Sequence, residues 1–353
     1  MAMRNVRRQL LNTPFLEKDS PMRTSFKNAT FVLATLAAMI LAGPVQAALL
    51  VGMDNRDPGS NHTLKGFSDA GALSWQVAAG NAKIGEVDPT DSTVIVAQGG
   101  TGVFTSSDVA RYNAFTGAVV GTNPLFSHGH TNTRGVAVDP TTGDIVVASE
   151  GAAVAVRSAG TTTTYSTSFA GQSDALIHRN AGEDVLFVFT DGGVDALKGY
   201  LLSGPFGLPS TAVPARNAYP AIPGGGTYEG IAVYNDSIYV LKVGSTPEVW
   251  VYNELANQSA APVQVSLAAS NSYVAAQGIT FDDLGNMYIA DYGNGGDVYR
   301  YSPTGANSWG NELLLIDNQV PQATWVKWVV PEPSSLLILS AAIGMVARRR
   351  VRA

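Results

Sequence analysis

The sequence predicts an all-β chain folded as a ring of short antiparallel sheets, a six-bladed β-propeller. Two observations carry that prediction. A strand–turn–strand frame recurs five times, starting at Gly85, Gly135, Ala175, Gly230 and Gly278, with spacings of 50, 40, 55 and 48 residues. Repeats of about that length are the mark of four-stranded propeller blades. Helical periodicity, meanwhile, is essentially absent from residues 48–330, so apolar segments there read as strands.

The elements follow in chain order. Ala48–Gly52, His62–Lys65 and Leu73–Val77 read as strands two, three and four of a blade that lacks its first strand. The five complete frames come next, each followed by a third strand: Val109–Tyr112, Ala153–Val156, Val194–Leu197, Glu248–Tyr252 and Asp297–Tyr301. A fourth apolar or Thr-rich stretch usually closes the unit, such as Ala118–Val120 or Glu312–Ile316. Asp139-Pro-Thr-Thr-Gly143 and Asp282-Asp-Leu-Gly-Asn286 place turn residues where four- or five-residue hairpin loops need them. The Gly that leads four of the five frames has no side chain, so strands can approach closely at a crowded centre. Ala323–Val329 is an apolar, aromatic strand that can supply the missing inner strand of the first blade. Closing the ring in this way removes exposed sheet edges. A seven-bladed ring, with a strand inside Pro205–Pro223, is the alternative. A β-sandwich is disfavoured because repeats of blade length are not its signature.

Both ends differ from this body. Arg23 and Lys27 precede an apolar run, Thr30–Ala42, too short to span a bilayer comfortably, and Val45 and Ala47 put small residues at the −3 and −1 positions. This is a secretory signal peptide with cleavage after Ala47. Residues 1–21 read as an upstream extension, or as sequence before a true start at Met22. At the other end Pro331-Glu332-Pro333 is followed by an apolar run, Leu336–Ala347, and by Arg348, Arg349, Arg350 and Arg352. The prolines break any preceding element. The arginines would stay cytoplasmic, and a single apolar helix of this length suits a transient anchor. The boundaries are therefore 1–47, 48–329 and 330–353.

Charge and cysteine content exclude several functions. The whole chain carries 22 basic and 28 acidic side chains, but residues 48–330 carry 12 and 25, a net charge of −13. A nucleic-acid partner needs a basic face, which this body lacks. With no Cys there is no disulfide, thiolate metal site or cysteine nucleophile. An acidic body opposes contact with anionic polymers unless divalent cations bridge them. Binding to an acidic exopolysaccharide should accordingly require calcium or magnesium.

The last 24 or so residues, with motif, apolar stretch and arginine cluster in order, resemble the PEP-CTERM sorting signal of Gram-negative bacteria. The N-terminal signal implies export through the Sec translocon and signal peptidase, and the resemblance of the tail implies the step that follows. An exosortase would then cut near Pro331-Glu332-Pro333 and transfer the protein from the inner membrane to the cell surface or matrix, in an exopolysaccharide or biofilm context. The repeat frame resembles NHL-repeat and SMP-30/gluconolactonase-like propellers, best over Gly278–Gly305. Those lactonases hold a Ca²⁺-type ion at the channel with a Glu, an Asn and an Asp. Glu229 fits the Glu, but Gln277 stands where the Asn would be, and Asp291 also suits an ordinary turn. Two functions therefore stand side by side: a non-enzymatic module binding polysaccharide or a matrix protein, and a divalent-metal-dependent lactonase or hydrolase.

The residue just before each innermost strand should face the channel; these are Ile84, Arg134, Asp174, Glu229 and Gln277. Asp174 and Glu229, from successive blades, could share a cation such as Ca²⁺, and Arg134 could pair with one of them. The opposite expectation is that a water-filled channel simply tolerates polar groups. His128 and His130 form the one paired-histidine feature, without a third ligand nearby. Tyr228, Tyr234, Tyr292 and Trp309 are candidates for stacking on sugar rings, whereas Trp250, Tyr252 and Tyr301 read as packing between blades. No G-x-S-x-G elbow points to a serine nucleophile.

Overall fold

The computed structural model describes residues 48–330 except 54–62, 80, 100–107, 130–132, 150–152, 167–171, 181–182, 191–195, 203–214, 245, 254, 256–258, 271–272 and 293–294. The expected signal peptide and Ala47 cleavage site, the Pro331-Glu332-Pro333 motif and the arginine tail lie outside the described residues. Among the described residues no helix is long and apolar enough to cross a membrane.

Among the described residues six sheets are formed, each antiparallel along its main run of strands. Blade I consists of β1 (Ala48–Met53), β2 (Thr63–Ser68), β3 (Leu73–Ala78) and, innermost, the last strand of the chain, β25 (Ala323–Val329). Blade II is β4 (Asn81–Asp88), β5 (Thr93–Gly99), β6 (Asp108–Asn113) and β7 (Phe126–Ser127). Blade III is β8 (Thr133–Val138), β9 (Ile145–Ser149), β10 (Ala153–Ser158) and β11 (Thr161–Ser166). Blade IV is β12 (Gln172–Asn180), β13 (Glu183–Thr190), β14 (Ala196–Leu202) and β15 (Ala215–Ala218). Blade V is β16 (Tyr228–Tyr234), β17 (Ser237–Lys242), β18 (Glu248–Tyr252) and β19 (Val263–Gln264). Blade VI is β21 (Ala276–Phe281), β22 (Met287–Asp291), β23 (Asp297–Gly305) and β24 (Ser308–Ile316), with the short β20 (Ser266–Leu267) added parallel to β24.

The ring is thus six-bladed and closes as the sequence predicts. β25 pairs antiparallel with β1, and Ala48 lies opposite Val329. The strand hidden in Pro205–Pro223 is β15, which completes blade IV rather than starting a seventh blade. Strand ends differ in places. The third strand of blade IV is Ala196–Leu202, and the fourth of blade II is Phe126–Ser127, with Val119 making only an isolated bridge to Tyr112.

Apolar clusters fill the spaces between blades, each drawing side chains from neighbouring sheets. The crowding inferred from the leading glycines is real. A Cβ on Gly278 would come within 2.6 Å of the Trp325 Cα, and one on Gly135 within 2.5 Å of the Ala175 amide nitrogen. These neighbours are backbone atoms, which cannot swing aside. Trp325 imposes the same demand on Gly52 and Gly85. Its buried ring would lie 2.1 and 2.5 Å from a Cβ at those positions, and its Nε1 donates to the Ala82 carbonyl at 2.7 Å.

Candidate functional site

All six inner strands carry a one-residue bulge near their start. The extra residues are Lys83, Arg134, Ser173, Glu229, Gln277 and Thr324. A bulge lets two residues oppose one on the partner strand and re-aims the local side chains. It also gives a common origin for comparing blades. The expected channel residues lie within the inner strands rather than before them. Arg134, Glu229 and Gln277 occupy the bulge itself. Ile84 and Asp174 sit one position further on, level with Gly135, Gly230, Gly278 and Trp325. The glycine frame placed them one residue early because those two blades lack the Gly at that level.

At the bulge level Arg134 and Glu229 reach towards each other from blades III and V. Arg134 Nη1 donates to Glu229 Oε1 at 3.5 Å, with both side chains about one-fifth exposed. This is the ion pair foreseen for Arg134. Gln277, from blade VI, is 6% exposed, and its Oε1 has no hydrogen-bond partner among the described residues.

One level deeper, Asp174 is buried and fully engaged. One carboxylate oxygen accepts from its own neighbour's amide, Ala175, at 2.8 Å, and the other from the Ile231 amide of blade V at 3.0 Å. The side chain staples blade IV to blade V. Burial pushes its carboxyl up to about 7, and the Lys327 charge and the two amide donors oppose that shift. The expectation of a cation shared by Asp174 and Glu229 thus meets a different arrangement, in which each carboxylate has partners supplied by the protein. Among the described residues no group of three or more His, Asp or Glu side chains is gathered around a potential metal position.

Two levels beyond Asp174 lies an ion pair that the sequence alone does not single out. Lys327 of blade I donates to Glu86 Oε2 of blade II at 2.6 Å, and the Val87 amide donates to Glu86 Oε1 at 2.9 Å. Burial opposes the Lys327 charge, but Glu86 and Asp174 outweigh it and hold the ammonium above its ordinary range. The missed signal was positional. Glu86 and Lys327 each lie three residues past their bulge, so one register places them side by side on adjacent inner strands.

The other candidates are placed as follows. His128 is buried, with Nε2 3.4 Å from the Thr133 hydroxyl; His130 lies outside the described residues. His178 lies 3.3 Å from Asp236, and burial lowers its pKa although the Asp236 charge opposes this. Asp291 is buried and accepts from the Val274 and Ala275 amides, the turn role allowed for it. Two proposed sugar platforms are core residues instead. Tyr228 is fully buried against Phe189, and buried Trp309 donates Nε1 to the Gly285 carbonyl. Tyr234 stacks on Phe281 at 5.1 Å between centroids. Tyr252 and Tyr301 are buried, as expected of packing residues.

The channel therefore holds opposite charges in pairs at two levels, with one buried carboxyl between them. Such a channel can orient a polar ligand by hydrogen bonds.

No family model matches the chain, and no curated protein matches it. Among solved structures it is similar to a protein of unknown function from Bacteroides caccae, with 12% identity over 81% of this chain and 100% of that chain and a TM-score of 0.55. A second neighbour is described as "a putative 6-phosphogluconolactonase" from Bacteroides fragilis NCTC 9343, with 8% identity over 81% of this chain and 98% of that chain and a TM-score of 0.48. The likeness to the first is one of fold.

Proposed function

We propose that this chain is an exported protein, cut at both ends and delivered to the cell surface or extracellular matrix, where its propeller acts as a binding module. One observation carries the reading. The two processing points expected from the sequence lie on either side of the described ring. Ala48, the residue after the expected signal cleavage site, already pairs within β1; Val329, two residues before Pro331, is the last of β25; and the two are strand partners. Cutting at both points would release every blade and leave the closure intact. The PEP-CTERM resemblance of the tail supports an exosortase as the processing partner and an exopolysaccharide setting.

The body's charge of −13 sets the conditions for binding. An acidic polysaccharide such as alginate is expected to bind the exported protein in millimolar calcium. Binding should fall by at least about tenfold when the ion is chelated, since like charges then face each other unbridged. Sedimentation of the protein with the polymer checks this. Equal binding with and without a chelator, or none with calcium, would remove the acidic-polymer ligand from the proposal.

A further inference from the structure

The bore of the ring divides into two chemically distinct halves at the level three to four residues past the bulges. Blades VI, I and II contribute Thr280, Lys327 and Glu86; blades III, IV and V contribute Val138, Leu176 and Ala232. These residues line a cavity of about 300 Å³ at the hairpin end of the inner strands, at the lower edge of the range typical of small-molecule sites. It lies at the opposite end of those strands from the Arg134–Glu229 pair.

The polar half has donors to spare. An ammonium has three N–H groups, and Glu86 accepts from one of those on Lys327. The Lys327 ammonium has no other acceptor among the described residues. The Thr280 oxygen accepts from the Trp328 amide at 3.2 Å, which leaves its hydroxyl hydrogen available. Thr280 is itself only 7% exposed. Glu86 neutralises Lys327, and Asp174 is mostly protonated below its pKa of about 7; there a further charge of either sign would be desolvated without a counter-charge, at considerable cost. The aliphatic half offers only dispersion and apolar burial.

We propose that this cavity is a binding site for a small uncharged amphipath: a short aliphatic body that lies against Leu176, Ala232 and Val138 and carries a hydroxyl or carbonyl oxygen directed at Lys327 and Thr280. The raised carboxyl of Asp174, close enough to feel Lys327 and Glu86, is a second sign that this part of the bore is dry. The site does not depend on the export reading, because it involves no processing step.

The test uses the purified full chain at about pH 6, where Asp174 is mostly protonated, and three probes of equal length: 1-hexanol, hexanoate and hexylammonium, titrated by saturation-transfer NMR. Hexanol is expected to bind at least about tenfold more tightly than either ion. Leu176→Phe, which fills the aliphatic half and leaves the ion pair in place, should abolish hexanol binding. The double change Glu86→Gln with Lys327→Met removes both charges without stranding either. In a chain that keeps Leu176, it should weaken hexanol binding by about tenfold. Comparable binding of all three probes, no saturable binding of hexanol, or full binding by a folded Leu176→Phe chain would each overturn the proposal.

Discussion

Trp325→Ala is expected to lower the stability of the propeller by about 3–5 kcal/mol, the range seen when a large buried aromatic is removed from a core. The position concentrates three structural demands. The ring fills the spaces left by Gly52 and Gly85, its Nε1 satisfies the Ala82 carbonyl of blade II, and its strand closes the ring against β1. Removing it leaves a cavity at the seam between blades I and II and an unpaired carbonyl. Loosened closure should expose the edges of β1 and β25, so the variant should also aggregate more readily. Urea unfolding followed by tryptophan fluorescence and circular dichroism checks the size of the effect. A loss below about 1 kcal/mol would mean that the seam carries little of the stability.

The second large effect concerns pH. The Asp174 carboxyl has a folded-state pKa of about 7 against an ordinary value of 3.8, raised chiefly by burial. A raised acid pKa means that the folded chain keeps a proton which the unfolded chain has lost. Its contribution is full below the unfolded value and is lost as pH rises through 7. Between about pH 5 and pH 8 the native chain should therefore lose about 3 kcal/mol of stability relative to Asp174→Asn, which cannot titrate. Asparagine resembles the protonated acid in offering one acceptor oxygen, so the two chains should be closest in behaviour at the acid end. Paired unfolding curves across that range measure the difference directly. A difference that does not vary with pH would place the Asp174 carboxylate in a far wetter site than its contacts with Ala175 and Ile231 indicate.

Much of the architecture was readable from the residues. The turn chemistry of Asp139–Gly143 and Asp282–Asn286, the blade-length spacing of the frames and the apolar Ala323–Val329 strand together specify a closed ring, because each is a local signal with a single structural meaning. The site was readable only in part. Arg134 and Glu229 could be paired because both sit at the bulge, directly before a glycine. Asp174 stands where three other blades have glycine, and only the register shows that its carboxyl turns to the Ile231 amide. Glu86 and Lys327 are some 240 residues apart in the chain, inside strands that otherwise read as packing. Their pairing follows from closure of the ring, which puts the last strand beside blade II. Tyr228 and Trp309 show the converse problem: an aromatic in a strand can point to solvent or to the next blade, and spacing alone does not decide which.

The exported-module proposal rests most heavily on the expected processing points lying outside the described ring. Intact-mass analysis of the protein released from the surface of its own cells tests it directly. The expected product is a chain that starts at Ala48 and ends within 329–333, lacking both the signal peptide and the arginine tail. A surface protein that retains residues 336–353, or one whose first residue lies beyond Ala48, would contradict it.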